Sequence, residues 1–369
     1  MFIKNICGST SIIAPILISI IKTESDSKMK ITKIETEVKY IELKTPFKTA
    51  LRTATHVEFV RVCVECDNGF VGIGEAPATK AITGEGIEDI LESIGSVKEL
   101  FLGLLPKEAL VKLHTTKIGS SAKAALDIAF VHLLSQEAKK PLYDYFGATD
   151  LTPLQTDVTI SLNDVYEMLN DAKKAYSEGM EILKVKVGID IEHAVKAVKD
   201  IADALPSAKI LVDANQAWSL KDSLFFIQNV KGTQIELIEQ PVIASDLDGL
   251  KKITQISHIQ ILADEAAFGL EDVKKVLKSK SADMINIKFM KCGGVSKAIE
   301  ILEYAREKKV SCMLGSMLEG PYSINMALHL AFAYRDVIKY IDLDSPLLYK
   351  EPSSELDFEF RGCKIVLVS

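Results

Sequence analysis

The sequence has no clustered basic face: acidic and basic residues are mixed throughout its 369 residues, and the formal net charge is −7. Nucleic-acid-binding proteins need a concentrated basic surface, so the sequence argues against that class. A cysteine framework is also missing, because the six cysteines show no pairing pattern. Cys63 and Cys66 form a C-x-x-C, but no second cysteine pair or histidine cluster accompanies them, which disfavours a zinc or redox site. We expect them to pack in the core of a protein from a reducing cytoplasm.

Apolar runs of membrane-spanning length are missing from the N-terminus as well. The run from Ile12 to Ile21 is too short to cross a bilayer as a helix, and Pro15 interrupts it. It resembles the apolar part of a signal peptide, but no A-x-A cleavage site follows, which leaves export as the alternative to a cytoplasmic protein. Met29 then opens a strand-like stretch, so we interpret residues 1 to 28 as a leader or disordered extension outside the fold.

Eight short β-branched runs recur in the second part of the chain. They begin at residues 155, 182, 209, 235, 259, 283, 311 and 339. Between them lie stretches such as "DIEHAVKAVKDIADAL", in which apolar residues recur at helical spacing. Eight strand–helix units of this length are too short for propeller blades. They predict an α/β fold, namely a closed (β/α)8 barrel of the modified TIM type, over residues 126 to 345.

The flanking segments predict a cap on this barrel. Residues 29 to 125 combine an antiparallel hairpin, which turns at Asp67-Asn68-Gly69, with helical stretches, as expected for an α+β capping domain. The tail, residues 346 to 369, is strand-like and is expected to return to the cap and complete it. No linker rich in Pro, Gly or Ser separates these parts, so we expect them to pack together.

Three carboxylates fall where the predicted third, fourth and fifth barrel strands end: Asp213 in "VDAN", Glu239 in "IEQP" and Asp264 in "ADE". In such barrels the C-terminal strand ends carry the chemistry. Three acids on adjacent strands repel one another unless a cation lies among them, and oxygen ligands without cysteine or histidine favour Mg²⁺. The alternative is a set of salt bridges with nearby lysines, but the joint pattern favours the metal.

Lysines occupy the ends of two other predicted strands, with Lys184 and Lys186 on the second and Lys288 on the sixth. Because these strands lie on opposite barrel walls, Lys186 and Lys288 are expected to face each other across the cavity. One lysine can remove a proton from a carbon beside a carboxylate and the other can return one from the far side, which inverts the stereocentre. The metal would absorb the enediolate charge. Burial and a like neighbour, Lys184, are expected to keep the lysines partly neutral near pH 7.

The motifs "KVK", "DANQ", "IEQP", "ADE", "NIKFMKCGG" and "GSM", in this order, resemble the enolase superfamily, muconate-lactonizing subgroup. More narrowly, "PFKTALRT", "GIGEAPATKAITGE", "DVTIS", "LKVKVG" and "DLDSPL" look like motifs of the L-Ala-D/L-Glu (dipeptide) epimerases. The resemblance implies Lys186 and Lys288 as the acid/base pair, with Lys184 touching the substrate carboxylate. It implies Mg²⁺ as the cofactor, with three ligands: Asp213, Glu239 and Asp264.

Residues on the eighth strand and on the cap suit a small zwitterionic substrate. Asp342 and Asp344 share one face of that strand and suit an ammonium group, whereas Arg52, on a cap loop, suits a carboxylate. By the resemblance, the two aspartates bind the N-terminal ammonium of a dipeptide and Arg52 binds the glutamate side chain. Helix capping is the alternative for the aspartates, and a solvated surface position is the alternative for Arg52. The resemblance also implies three pocket-lining residues: Thr159, Ser316 and Leu318.

The sequence therefore predicts an isomerase, a Mg²⁺-dependent epimerase that inverts the α-carbon of a dipeptide's second residue, first of all in L-Ala-D/L-Glu. The alternatives are a muconate cycloisomerase or o-succinylbenzoate synthase on the same scaffold, or a non-catalytic metal-binding scaffold protein. Ala266, where the family often has serine, and Gly320-Pro321 depart from the family pattern and leave the preferred dipeptide open. The resemblance implies murein peptide metabolism, and a homo-oligomer is compatible with the sequence.

Overall fold

The computed structural model describes residues 29–50 and 53–368. The extension predicted over residues 1 to 28 and the predicted substrate ligand Arg52 lie outside the described residues. Among the residues described, no helix has both the length and the apolar character needed to cross a membrane.

The N-terminal part forms a cap of one antiparallel sheet and several helices. Its strands β1 (Ile31–Lys48), β2 (Thr53–Cys66) and β3 (Val71–Pro77) are neighbours in that order. The cap helices are α1 (Lys80–Thr83), α2 (Ile87–Val97), a 3-10 turn (Lys98–Phe101), α3 (Pro106–Leu113) and α4 (Ser120–Glu137).

Helix α4 packs closely on β3, because two glycines let the backbones approach. A Cβ at Gly74 would overlap the carbonyl of Ala125, and a Cβ at Gly72 would overlap that of Ala129. The predicted boundary between residues 125 and 126 falls inside this helix. A continuous helix that covers the cap sheet cannot be divided between two units at that point.

Eight parallel strands form the barrel, each paired with its neighbours in chain order. After α5 (Leu142–Tyr145) and the short β4 (Leu154–Gln155), they are β5 (Val158–Ile160), β6 (Ile182–Lys186), β7 (Lys209–Asp213), β8 (Ile235–Glu239), β9 (Gln260–Ala263), β10 (Met284–Ile287), β11 (Cys312–Gly315) and β12 (Ile338–Asp342). The first and last strands meet at a seam, where Thr156 pairs with Ile341 and the Asp157 amide donates to the Ile341 carbonyl over 3.1 Å. The predicted (β/α)8-type fold is confirmed.

Helices connect the strands on the outside of the barrel. Four of them begin at a polar residue whose side chain accepts backbone hydrogen bonds, as Asp164 does from the amides of Tyr166 and Glu167, which satisfies otherwise unpaired donors. The helices are α6 (Val165–Ser177), α7 (Ile191–Ala204), α8 (Leu220–Asn229), α9 (Leu247–Ile256), α10 (Leu270–Ser279), α11 (Phe289–Cys292), α12 (Val295–Lys308), α13 (Pro321–Ala333) and α14 (Ser345–Leu348).

The barrel interior changes character along its axis. Because side chains of a strand alternate between its two faces, Ile182, Lys184 and Lys186 share the inward side of β6. Near the start of the strands, the inward residues form a buried apolar layer: Ile182, Leu211, Leu237, Leu262, Met284, Met313 and Tyr340. Two residues further along most of these strands, the inward residue is charged or polar. The apolar layer therefore closes one end of the barrel, and the ionisable groups gather at the other.

The C-terminal tail joins two parts of the molecule. Its hairpin, β13 (Phe358–Arg361) and β14 (Lys364–Leu367), pairs with β4 in a separate three-stranded sheet and not with the sheet of β1–β3. The tail still contacts the cap, because Arg61 donates to Glu75 over 2.7 Å and to Glu355 over 2.7 Å. Glu75 in turn accepts the Tyr322 amide at the start of α13 over 2.9 Å. One buried carboxylate thus connects cap and barrel directly.

Candidate active site

A cavity lies between the cap and the C-terminal ends of the barrel strands. The cap contributes four lining residues, namely Phe47, Thr49, Ala81 and Ile82. Most of the residues predicted from the sequence line the barrel side: Thr159, Lys186, Asp264, Lys288, Ser316, Leu318, Asp342 and Asp344. The structure thus brings to one cavity residues that are spread over nearly 190 positions of the chain, from 159 to 344.

The three predicted metal ligands end adjacent strands and are buried. Asp213 pairs in register with Lys186 on one side and with Glu239 on the other. Asp213 and Glu239 are fully buried, and Asp264 is 2% exposed. Such a concentration of buried carboxylates requires compensating positive charge.

Lysines supply that charge in this structure. The Lys184 Nζ lies 2.7 Å from Glu239 Oε2 and 2.6 Å from Asp342 Oδ2. The Lys186 Nζ lies 2.5 Å from Asp213 Oδ2, and the Lys288 Nζ lies 3.0 Å from Asp264 Oδ2. The salt bridges considered as the alternative to a metal site are therefore present.

The arrangement of the remaining carboxylate oxygens also fits a divalent cation. One oxygen of each acid is fixed by a neighbour: Asp213 Oδ1 by the Asn215 amide at 2.9 Å, Glu239 Oε1 by Asn286 at 2.8 Å and Asp264 Oδ1 by Lys291 at 2.5 Å. The second oxygen of each acid points to a site lysine instead. Pre-oriented carboxylate oxygens without cysteine or histidine form the donor set that Mg²⁺ prefers.

A different trio of acids is closer together. Within the part of the chain that the structure describes, the one group of three acidic side chains with ligand oxygens within 4.8 Å of one another is Asp157, Asp342 and Asp344. Proximity alone makes it a candidate cation site. We favour the trio of Asp213, Glu239 and Asp264 for the metal, because donors hold one oxygen of each of those acids and neither oxygen of Asp157 receives a hydrogen bond.

The expectation that burial keeps the site lysines partly neutral is wrong for two of them in this structure. Burial lowers the pKa of Lys184, but Asp342 and Glu239 outweigh it and the pKa is raised well above its usual value. Burial likewise lowers the pKa of Lys288, and Asp264 more than offsets this effect, so that the pKa is raised. Adjacent carboxylates rather than the like-charged neighbour dominate the electrostatics of these ammonium groups.

Five of the predicted substrate residues line the cavity, namely Thr159, Ser316, Leu318, Asp342 and Asp344. Asp344 Oδ2 accepts the Thr159 amide over 2.6 Å across the barrel seam. Burial, followed by the charge of Asp342, raises the pKa of Asp344 to about 6. The Ser316 hydroxyl donates to the carbonyl of Asp342 over 3.2 Å. Leu318 is 6% exposed and packs with the cap residue Phe59.

Sequence reasoning missed several groups that organise this site. Lys291 donates from the side chain to the carbonyls of Asp264 and Asn286 over 2.6 and 2.8 Å, and Gln240 Oε1 accepts the Asp264 amide over 3.0 Å. Asp157 lies two residues before Thr159 and therefore on the same face of the chain as a predicted pocket residue, which is a signal that could have identified it. No comparable local pattern marks Lys291, whose partners come from other strands.

A closed parallel barrel with lysines on opposite walls of a capped, carboxylate-lined cavity defines a class of enzyme that moves protons at a carbon beside a carboxylate. The comparison with known families agrees. Residues 31–147 match the N-terminal domain of the mandelate racemase / muconate lactonizing enzyme family, and residues 167–366 match the enolase C-terminal domain-like family. The chain belongs to this family of the enolase superfamily.

Individual relatives are similar over most of the chain. The L-amino acid-D/L-Glu epimerase of Sulfurimonas denitrificans is 71% identical over 338 residues, which cover 91% of this chain and 99% of the relative. A substrate-liganded structure of the L-Ala-D/L-Glu epimerase from Bacillus subtilis superposes with a TM-score of 0.87 at 38% identity, over 92% of this chain and 96% of that one.

A third relative was solved with a metal. The dipeptide epimerase from Enterococcus faecalis, complexed with Mg and the dipeptide L-Leu-L-Tyr, gives a TM-score of 0.86 at 34% identity, over 92% of this chain and 97% of that one. The family and the isomerase class predicted from the motifs are thereby confirmed.

Proposed function

We propose that this protein is a Mg²⁺-dependent dipeptide epimerase that inverts the α-carbon of the second residue, with L-Ala-D/L-Glu as its substrate. One observation carries the proposal: Lys186 on β6 and Lys288 on β10 line the same cavity from opposite walls, since three strands separate β6 from β10 in either direction. The relatives named as epimerases of dipeptides support the same conclusion.

The two lysines would exchange protons with opposite faces of one carbon. A neutral lysine takes the α-proton onto its Nζ as the carbon–hydrogen bond breaks, and the charge spreads onto the neighbouring carboxylate of the substrate. The other lysine, as an ammonium, gives a proton to the opposite face and restores the carbon–hydrogen bond with inverted configuration. The raised pKa of Lys288 suits the proton donor, because its ammonium form is then fully populated at neutral pH.

A cation would make this carbon acidic enough to react. Asp213, Glu239 and Asp264 would hold Mg²⁺, and the ion would supply the positive charge that stabilises the negative charge developing on the substrate carboxylate. Lys184, which is 1% exposed and contacts Glu239, would add a second positive charge on the same side.

The remaining predicted residues would fix the dipeptide. Asp342 and Asp344 would bind its N-terminal ammonium, and Arg52 would bind the glutamate side chain. The main-chain groups of Thr159 and Ser316 and the apolar side chain of Leu318 would line the path between these two ends. Such contacts hold the α-carbon between the two lysines, and fixing the reacting atoms in this way is a large part of catalysis.

Deuterium exchange tests the proposal directly. Incubation of Ala-Glu with the protein and Mg²⁺ in D₂O is expected to place deuterium on the α-carbon of the glutamate, as read by mass spectrometry. With two bases, Lys186→Ala and Lys288→Ala each abolish epimerisation, and each is expected to block exchange from a different epimer. Lys297→Ala, which removes a lysine from helix α12, serves as the control and retains full exchange. Absence of exchange by the wild-type protein with Mg²⁺ present would contradict the proposal.

The alternatives predict other results. Muconate cycloisomerisation and o-succinylbenzoate synthesis use substrates without an ammonium group, so Asp344→Ala would leave those activities intact while it impairs dipeptide turnover. A non-catalytic scaffold would show neither exchange nor turnover, and calorimetry would then decide whether it binds Mg²⁺ at all. The predicted acids and lysines within the described residues are all buried, and each of the three lysines pairs with at least one of the acids, which favours the enzyme.

The cellular context forms part of the same proposal. We infer a cytoplasmic enzyme of murein peptide metabolism. The resemblance to the L-Ala-D/L-Glu epimerases implies this pathway, in which Ala-Glu dipeptides are released from murein. A homo-oligomer is compatible with the sequence, and light scattering of the purified protein measures the oligomeric state. Cell fractionation with an antibody against the protein tests the location.

A further inference from the structure

Asp157 is a buried carboxyl group that the proposed mechanism does not use. It is fully buried at the barrel seam, directly before β5. Its amide donates to Ile341, but within the described residues neither side-chain oxygen has a hydrogen-bond partner. A buried, ionised carboxylate without any donor is strongly disfavoured, so the group requires another explanation.

The neighbours of Asp157 are two further acids. Its ligand oxygen lies within 4.8 Å of those of Asp342 and Asp344, which line the cavity. Asp342 is already held from one side by Lys184 at 2.6 Å, and Asp344 accepts the amide of Thr159 at 2.6 Å. Asp157 itself does not line the cavity, so it lies behind the pair that faces the substrate.

A count of charges decides the protonation state of Asp157. With a dipeptide bound, Lys184 and the substrate ammonium provide two positive charges, and Asp342 and Asp344 provide two negative ones. A third ionised carboxylate would leave one negative charge uncompensated in a fully buried cluster, which is costly. A neutral Asp157 balances the cluster and also gains a hydroxyl donor for an adjacent carboxylate.

We propose that Asp157 is a positioning residue for substrate recognition: as a neutral carboxylic acid it donates a hydrogen bond to Asp342 and holds that carboxylate towards the ammonium group of the dipeptide. The inference rests on the proposed function and adds a specificity-determining residue to it. Lys184 and Asp157 then fix Asp342 from two sides, and the oxygens that remain accept the ammonium.

The electrostatics of the cluster agree with this arrangement. Burial, followed by the charge of Asp342, raises the pKa of Asp157 well above its usual value, and Lys184 opposes this effect only in part. The charged groups that face Asp157 are Asp342, Asp344 and Lys184. Two of the three are acids, which favours the neutral form of Asp157.

The test compares Ala-Glu with propionyl-glutamate, which is the same molecule without its ammonium group. The ratio of their dissociation constants, measured by calorimetry on the Mg²⁺-loaded protein, reports the contribution of the ammonium subsite. Asp157→Leu keeps the branched outline of the side chain but cannot donate, and we expect it to lower this ratio by about 10-fold, the value of one hydrogen bond to a charged group. Asp157→Asn keeps an N–H donor and is expected to retain most of the ratio.

A matched control and a second measurement complete the test. Asp127→Asn alters another fully buried carboxylate, on α4 in the cap, and is expected to leave the ratio unchanged. An infrared difference spectrum of wild type minus Asp157→Asn at pH 7 is expected to show the carbonyl band of one protonated carboxylic acid. This measurement decides the question if Asp157→Leu does not fold.

Three results would overturn the inference. Asp157→Asn could lower the ratio as much as Asp157→Leu, which would show that a negative charge is required. Asp157→Leu could weaken both ligands equally, which would indicate general packing, or the infrared band could be missing. If wild-type protein neither binds nor exchanges Ala-Glu, the proposed function fails instead, and the infrared band still shows whether Asp157 carries the proton.

Discussion

Replacement of Lys291 by methionine should reveal how much of the stability of the barrel depends on one buried ammonium group. Lys291 follows β10 within the short helix α11, and its side chain is fully buried. Its Nζ donates to three carbonyls, those of Asp264 at 2.6 Å, Asn286 at 2.8 Å and Ala267 at 3.2 Å. The same nitrogen lies 2.5 Å from Asp264 Oδ1. It therefore joins the ends of β9 and β10 beneath the cavity.

The expected cost follows from the loss of these contacts. Methionine has a similar length and fills the space, so the cavity contribution is small. Removal of one partner of a buried ion pair costs about 3–5 kcal/mol, because the other charge stays buried without compensation. The carbonyls that lose their donor add to this cost, although the effects of neighbouring groups are not additive. We expect Lys291→Met to lower the free energy of unfolding by about 4 kcal/mol, a large part of the roughly 5–15 kcal/mol of a typical domain.

Urea denaturation followed by circular dichroism, in the presence of EDTA so that no cation binds at Asp264, measures this change. For a chain of this size a loss of about 4 kcal/mol corresponds to a decrease in Tm of about 5 °C. Lys297→Met is the control, because Lys297 is 34% exposed and pairs with Glu300 over 2.7 Å on a helix surface. Such pairs contribute about 0–0.5 kcal/mol. Equal midpoints for the two variants would refute the reasoning.

Three further predictions concern pH, close packing and one indole. Only the ionised form of Asp344 attracts an ammonium group, and the pKa of Asp344 is raised to about 6. In steady-state assays the KM for Ala-Glu should therefore rise by about tenfold per pH unit below pH 6. Asp344→Asn should show a high KM that does not rise further with falling pH. Gly74→Ala would place a methyl group against the α4 backbone and should destabilise the protein by about 1–3 kcal/mol. Gly95 is exposed inside α2 with open space around it, so Gly95→Ala should stabilise the protein by about 0.5–1 kcal/mol. A change of the same sign for both variants in thermal denaturation would contradict these predictions. Trp218→Phe removes the hydrogen bond from Nε1 to the Gly188 carbonyl at 3.0 Å and should lower the free energy of unfolding by about 1 kcal/mol in urea denaturation; an unchanged midpoint would contradict this.

The barrel could be predicted from the sequence because its signals are local. Each strand is a short β-branched run, and the alternation of its side chains places Lys184 and Lys186 on one face. The end of the strand, which marks the position of the chemistry, is equally visible in "VDAN" and "IEQP". Both features depend only on residues within a few positions of one another.

The organisation around these residues depends on contacts that the sequence does not display. Lys291 is separated from Asp264 by 27 positions and a helix, and Glu75 from the Tyr322 amide by 247 positions. The tail hairpin pairs with β4 and not with the cap sheet, a choice between two edges that strand propensity does not make. The raised pKa of Lys288 likewise depends on the 3.0 Å distance to Asp264, whereas burial alone suggested the opposite direction.

The seam of the barrel makes substrate recognition a property of the completed chain. The hydrogen bond between the Thr159 amide and Asp344 joins residues 185 positions apart, so the first barrel strand holds one of the two proposed ammonium ligands on the last. A nascent chain that has produced seven strands already contains both lysines and all three proposed metal ligands, but it lacks Asp342 and Asp344. Such high contact order slows folding, and the proposed site is complete only after synthesis has passed the eighth strand.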